Sequence, residues 1–531
     1  MHWADRLADE VIANTPNKEE YVCAAGISPS GSVHIGNFRD IVTSYFVCLA
    51  LRKRGKKARL LFSWDEFDRL RKIPANVARL GNSYDEFIGK PYTDIPDPFG
   101  CCESYAQHFE REFENALKKF NIDVDFRYQT TEYRSGRYAK NIITAIEKRD
   151  EIFDILESFR TQDSTDEKKA NYFPVSIYCP CCGKDETKII SYEDSTHTAE
   201  FTCTCGHTGT FCFDTDHNCK LYWKIDWPMR WMAESVDFEP GGKDHASPGG
   251  SFQTSRVIAN EIFGISEPLF QGYEFIGIKG STGKMSGSTG LNLTPEALFH
   301  VYQPEIILWL YAKTDPMKAF NFCFDEEILR QYFEFDKSYN MYKNGTATEL
   351  ISEIMDFSQI DGREIKAVPM QQLVSFGSIV EFSPDLLEAI FAKIGNPYKR
   401  EDFVERMMLA KYWLVNCSPE SINHLRTEFD HEYFNSLSLE EQRELVLLSE
   451  YLSKQEYSMD DLQNFLYAVP SSIRGEIPDS SELKKLQASF FKNVYNLLLG
   501  NEKGPRLYLF LYALDKEQYM QLLPTKITVK G

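Results

Sequence analysis

The chain has 531 residues, 43% hydrophobic and 14% aromatic, enough to bury cores in several domains and more than a simple binding module needs. A formal net charge of −20 excludes wholesale attraction to a polyanion but not a local basic surface, and the densest basic run, 52–59, reads equally as a solvated helix end or as an RNA contact. Apolar runs such as 306–312 fall far short of the roughly 20 residues that span a bilayer, and 1–13 alternates charged with apolar residues, unlike a signal peptide, so an intracellular, cytoplasmic protein with no membrane partner is expected.

Residues 21–27 form a short apolar run that Ser28-Pro29-Ser30-Gly31 interrupts; 34–54 reads as a long helix, and 58–64 resumes a buried-strand pattern. This is a strand–loop–helix–strand unit of the parallel, nucleotide-binding kind. A helix over 103–120, a strand near 124–128 and a helix over 138–158 follow, and 161–170 is a polar linker. Seven of the thirteen cysteines then fall between Cys179 and Cys219, a clustering that points to metal ligation in a reducing compartment. Strand-like sequence at 220–225, a glycine-rich turn at 239–250, a helix over about 253–263 and a strand at 273–278 make the nucleotide fold look split by an insertion. From 294 onward the pattern is almost purely helical, with starts at Thr294-Pro295-Glu296 and Ser438-Leu439-Glu440-Glu441 and stops at Gly500 and Gly504.

Three segments carry nucleotide chemistry. Pro29-Ser30-Gly31-Ser32-Val33-His34-Ile35-Gly36-Asn37 sits where a strand feeds a helix, the place where a helix N-terminus receives phosphate groups. Gly241-Gly242-Lys243-Asp244-His245 is a glycine-rich turn that carries a carboxylate. Lys284-Met285-Ser286-Gly287-Ser288 lies in a Gly/Ser-rich loop just after a strand. A fourth segment pairs Cys179-Pro180-Cys181-Cys182-Gly183 with Cys203-Thr204-Cys205-Gly206-His207, two knuckles with the spacing of a zinc ribbon. The expected ligands are Cys179, Cys182, Cys203 and Cys205, with Cys181 and His207 in reserve; four thiolates leave no open position, so such a zinc is structural.

The first segment looks like the HIGH signature of class I aminoacyl-tRNA synthetases with Asn37 in place of the last His, the second resembles their GxD element, and the third resembles their KMSKS loop. Within that class, Pro29-Ser30-Gly31 together with 62–72, 92–100, 225–231 and, more weakly, Gly504-Pro505-Arg506-Leu507 resembles the class I lysyl-tRNA synthetases. The resemblance implies an α/β chain: a split Rossmann-type parallel-sheet catalytic domain with a zinc-ribbon insertion, followed by an all-α C-terminal domain. The implied segments are 1–110 and 220–293 for the two catalytic halves, 111–219 for the insertion, 294–346 for a helical connection and 347–531 for anticodon binding.

It further implies that lysine reacts with ATP and Mg²⁺ to give lysyl-adenylate, and that the lysyl group then passes to the terminal ribose of tRNA(Lys); a structural Zn²⁺ is the other cofactor. His34, Asn37 and Lys284 would be catalytic, and Pro29, Gly31, Gly36, Gly242, Asp244, Ser286 and Ser288 would join them around ATP. Gly287 stands where the usual loop has its second Lys, leaving phosphate charge to Lys284, Lys279 and Mg²⁺. Gly26, Ser28, Trp223 and His245 would line the amino-acid pocket. Asp65 is the chosen partner for an ammonium group, with Glu66, Asp68 and Tyr273 as competitors. A glutamyl- or glutaminyl-type enzyme shares the split fold, but a site for an acidic side chain should present Arg. A small-molecule nucleotidyltransferase would need neither insertion nor tail, and a zinc-ribbon RNA-binding protein would not need both ATP signatures. The oligomeric state is left unassigned.

Overall fold

Strand β1 (Glu20–Ile27) is buried from Tyr21 to Ala25, the near-continuous apolar run of a strand covered on both faces. These elements belong to a computed structural model that describes residues 1–531 except 82, 160–165, 281–292, 455, 476, 478 and 528–531. Helix α1 (Trp3–Asn14) precedes β1, and helix α2 (Ile35–Lys53) leads from it to β2 (Lys57–Trp64), which pairs in parallel from Glu20↔Lys57 to Ile27↔Trp64. The basic run that ends α2 is engaged internally: Arg54 reaches Asp5 and Asp9 of α1, each at 2.5 Å, and Arg59 reaches Asp125 at 2.7 Å. Strand β3 (Asp125–Tyr128) joins β2, again in parallel.

The insertion follows. Strand β4 (Val175–Ile177) pairs antiparallel with β8 (Cys219–Leu221), and between them β5 (Thr187–Glu193), β6 (Thr198–Cys203) and β7 (Thr208–Cys212) form a three-stranded antiparallel sheet. This sheet has no separate core: Phe201, Phe211 and Phe213 belong to one cluster with Ile142, Ile146 and Met229. Then come the helix Trp223–Glu234, β9 (Phe238–Gly242), the helix Ser251–Glu261 and β10 (Leu269–Tyr273). The main sheet has the all-parallel order β10-β9-β1-β2-β3. Its strands proceed from β1 in one direction to β3 and resume on the other side with β9, so the order reverses between β1 and β9. The crevice outside the carboxyl ends of such a pair is where open α/β sheets bind ligands.

Four sequence expectations change. The strand expected over 220–225 is only β8, and Trp223 already opens a helix that carries Pro228. Proline cannot donate to the carbonyl four residues back, and the Ser255 hydroxyl fills that place, 3.1 Å from the Lys224 oxygen. The helix over 138–158 is two, Ala139–Glu147 and Arg149–Ser158, broken at Lys148 (φ −97°, ψ 21°) so that Ile142, Ile146, Ile152 and Ile155 reach the same core. The glycine-rich turn begins as β9. Finally, the strand over 273–278 is divided between β10 and β11 (Ile276–Lys279), the latter paired in parallel with β12 (Phe320–Cys323) in a separate sheet.

The chain forms two compact units, Met1–Cys323 with Met341–Arg363, and Phe324–Asn340 with Glu364–Gly531. All the described strands lie in the first. The second is helical throughout its described elements, with Arg406 buried and bonded to both oxygens of Asp336 at 2.8 and 2.9 Å. Thr294 and Ser438 cap helices and Gly500 ends one at φ +71°, as their sequence context predicts. Among the described residues no helix is long and apolar enough to cross a membrane.

Candidate active site

Between β1 and α2 the chain turns tightly, with the Ser30 N–H on the Ser28 carbonyl at 2.8 Å and the Tyr105 hydroxyl on the Ser30 carbonyl at 2.8 Å. Pro29 and Gly31 lie in this turn, at the carboxyl end of β1. His34 is the N-cap of α2: its Nδ1 accepts the backbone N–H groups of Gly36 at 3.1 Å and Asn37 at 3.3 Å. An Nδ1 that accepts must be unprotonated, so the ring proton sits on Nε2, which remains a donor. Burial lowers the pKa of the ring, which favours this neutral form. A neutral donor thus stands at the positive end of a 19-residue helix. Gly36 is required for it, since a Cβ there would lie 2.9 Å from His34 Cε1. The start of α2 is tied to the segment after the KMSKS-like loop by the Ile35 N–H on the Leu293 carbonyl at 2.8 Å.

From the Cys23↔Phe238 pairing, β1 and β9 each run four residues further, to Ile27 and Gly242. A Cβ on Gly242 would stand 2.6 Å from Asp244 Oδ1, so glycine lets that carboxylate fold back over the strand end; the His245 N–H closes the turn on the Gly242 carbonyl at 2.9 Å. Trp223 stacks on Trp227 with centroids 4.9 Å apart, and Trp227 meets His245 edge-on at 5.8 Å. Trp223 and His245, expected as pocket residues, are therefore gathered around one indole. The Arg230 guanidinium lies 5.0 Å over the Trp223 ring.

Beside these aromatics lies a buried charge network. Asp65 Oδ1 accepts from Arg230 at 2.5 Å; Asp226 meets Arg230 at 3.3 Å, Lys220 at 3.0 Å and the Tyr133 hydroxyl; Asp68 meets Lys220 at 2.9 Å and the Ser28 hydroxyl at 3.0 Å. Asp65 thus already has a cation inside the protein. Glu66 accepts the N–H groups of Gln129 at 2.9 Å and Thr130 at 2.7 Å, and burial pushes its carboxyl up to about 7. Tyr273 sits against Asp40, a half-buried acid that desolvation drives well above its ordinary range and that accepts the Gly26 N–H at 3.3 Å.

The four expected cysteines converge. Their Sγ atoms all lie within 4.8 Å of one another, with Cys179 3.8 Å from Cys205 and Cys182 3.6 Å from Cys203. A zinc–sulfur bond of about 2.3 Å gives a tetrahedron with edges of about 3.8 Å, so the donor set fits zinc. Gly183 and Gly206, with φ of +75° and +90°, turn the two knuckles inward. Cys181 and His207 stand outside this group.

A second convergence was missed in the sequence: Asp97, Cys101, Cys102 and His108 also place their ligand atoms within 4.8 Å of one another. Cys101 Sγ is 3.2 Å from His108 Nδ1 and 3.7 Å from Cys102 Sγ, and Asp97 Oδ2 accepts the N–H groups of Cys101 and Cys102 at 2.7 and 2.8 Å. The signal is an adjacent Cys pair with Asp four residues before and His six after, unlike a zinc-knuckle spacing. Lys284, Ser286 and Ser288, named for the KMSKS-like loop, lie outside the described residues.

Comparison with known proteins places the chain in a family. The family of tRNA synthetases class I (K) matches residues 1–361. The chain is 37% identical to the lysine--tRNA ligase of Thermococcus kodakarensis, over 97% of this chain and 98% of that protein. It is 36% identical to that of Pyrococcus horikoshii over 97% and 98%, and 34% identical to that of Treponema pallidum over 98% of each. A nucleotide-type crevice headed by His34, matched in family and over nearly the full length of these relatives, leaves one assignment: the chain belongs to the class I tRNA synthetases of the lysine type.

Proposed function

We infer that the protein is a lysine–tRNA ligase, which joins lysine to ATP as lysyl-adenylate with release of diphosphate and passes the lysyl group to the 3′-terminal ribose of tRNA(Lys). The observation that carries the mechanism is that His34 Nδ1 accepts the N–H groups of Gly36 and Asn37, which assigns the ring proton to Nε2. Its Nε2–H, at the N-terminus of α2, donates to ATP phosphates as charge moves toward diphosphate, and the helix dipole acts in the same direction. Asn37 stands one turn into that helix. Lys284 would add a positive charge, with Ser286 and Ser288 following it in the sequence, and Mg²⁺ would enter with the phosphates.

Pro29, Gly31 and Gly36 keep the β1–α2 turn open to the nucleotide, while Gly242 and Asp244 hold its ribose. Gly26, Ser28, Asp65, Trp223 and His245 border the amino acid, Asp65 by fixing Arg230 rather than by meeting substrate. A glutamate pocket would need an arginine directed at the substrate, and Arg230 is held by Asp65 and Asp226. Cys179, Cys182, Cys203 and Cys205 would hold a zinc that shapes the insertion and performs no chemistry.

Residues 1–110 and 220–293 then supply the catalytic halves together with β3 of the main sheet, so the zinc-ribbon insertion expected over 111–219 begins only after Tyr128; 294–346 is the connection and 347–531 the surface for the anticodon, with 347–363 part of the first compact unit. A cytoplasmic location suits both the substrate and thirteen free cysteines. Charging of tRNA(Lys) with labelled lysine tests the reading directly. Lysine incorporation that tRNA(Glu) does not share supports it, and glutamate charging would replace it with the rival assignment.

A further inference from the structure

A lysine pocket must supply negative charge for the side-chain ammonium, and the candidates for it are Asp65, Glu66, Asp68 and Tyr273. Three of them are already committed. Both Asp65 and Arg230 are buried, and their 2.5 Å contact closes that carboxylate off, its side chain being 6% exposed. Glu66 caps the helix Gln129–Arg134 with both oxygens. Tyr273 faces Asp40. Asp226, the remaining member of the charge network, is 0% exposed and already meets Lys220, Arg230 and Tyr133.

Asp68 differs in two ways. Its side chain is 29% exposed, so one carboxylate in the network can still be approached, and it bonds Ser28, which follows directly on β1 at the mouth of the crevice. The network also has a charge to spare. Asp65, Asp68 and Asp226 are three carboxylates against two cations, Lys220 and Arg230, so one negative charge lacks a counterpart. In a low-dielectric site an unmatched charge is costly until an opposite one arrives.

We propose that Asp68 is the specificity-determining group that receives the side-chain ammonium of lysine, with Ser28 and Lys220 positioning its carboxylate. This rests on the reading of the protein as a lysine–tRNA ligase. Lysine completes the balance of the network, whereas a neutral side chain of equal length leaves it one charge short. A site built around such a pair rejects the uncharged analogue far more strongly than apolar packing alone can. Backbone bonds hold Asp68 in place, its N–H on the Asp65 carbonyl at 3.1 Å and its carbonyl under the Tyr92 N–H at 3.0 Å.

The test is lysine-dependent ATP–diphosphate exchange by the full chain, with tRNA present, comparing lysine, ornithine and norleucine. Wild-type exchange that requires lysine establishes the parent reading; exchange with glutamate instead would defeat that reading and this proposal with it. Asp68→Asn, folded by thermal melt, is expected to raise the KM for lysine about 30-fold or more with the KM for ATP unchanged, and to lose most of the preference for lysine over norleucine. An Asp68→Asn protein that folds and keeps wild-type lysine KM and preference overturns the proposal. Should that variant not fold, Asp68→Glu retains the charge facing Lys220 but advances the carboxylate by one methylene. Its ratio of ornithine to lysine use should then rise, because ornithine is shorter by the same methylene, and an unchanged ratio would equally refute the assignment.

Discussion

His34 Nδ1 stands 3.1 Å from the backbone nitrogen of Gly36, so the imidazole caps α2 with one nitrogen and leaves the other outside the cap, the one proposed to meet phosphate. The two roles separate by substitution. Asn is a good N-cap and lacks the Nε2–H reach, so His34→Asn should keep the melting temperature while lowering diphosphate exchange about 10²-fold or more. His34→Ala should lose the same rate and, in addition, about 1 kcal/mol of stability. Equal exchange by wild type and His34→Asn would remove the phosphate role.

Gly36→Ala tests the same geometry from the other side. Alanine is favoured over glycine in a helix by up to about 1 kcal/mol, yet its Cβ would meet the His34 ring at 2.9 Å. The expected outcome is a protein of unchanged or higher melting temperature whose turnover falls more than its affinity for ATP. Full turnover in a stable Gly36→Ala enzyme would show that the ring need not fold back on the helix.

Metal removal should act at a distance from the chemistry. Elemental analysis is expected to find zinc, and changing Cys179 and Cys182 together to Ser should abolish the equivalent held by the four thiolates. Metal that survives in that variant belongs to the cluster of Asp97, Cys101, Cys102 and His108. Because Tyr178 precedes the first ligand and its hydroxyl bonds the Phe67 carbonyl at 2.5 Å, the double variant should lose stability and tRNA charging more than affinity for ATP.

Stability should fall as pH rises through several desolvated acids, and Glu110 is one whose share can be isolated. Burial, with repulsion from Glu66 and Glu114, pushes the Glu110 carboxyl up to about 8. The folded chain therefore keeps a proton that the unfolded chain releases in the ordinary carboxylate range of about 4.3. Its contribution is fully present below that range and disappears as pH rises through about 8. Glu110→Gln mimics the protonated form and should flatten the loss of denaturant resistance between about pH 4.3 and about pH 8. A slope identical to wild type would assign the titration elsewhere.

The strand, turn and helix of 20–53 are legible because an apolar run is cut by Pro and Gly where the chain must turn. β9 is not, since Pro240-Gly241-Gly242 has little strand propensity and becomes a strand only by pairing with β10 and β1. The cysteine knuckles announce themselves by spacing, while Asp97 and His108 flank a Cys pair that no zinc-knuckle spacing anticipates. Residue type suggests pocket candidates but does not give their roles: Asp65 is an apt ammonium partner until Arg230, 165 positions away, is seen against it. Long-range pairing of buried charges leaves no local trace in the sequence.

The most direct test of the central claim is ATP–diphosphate exchange across a panel of amino acids, with and without tRNA. The account predicts exchange with lysine alone, whether or not tRNA is needed for it. Exchange supported by glutamate or glutamine, or none with any amino acid from a folded, zinc-loaded protein, would contradict it.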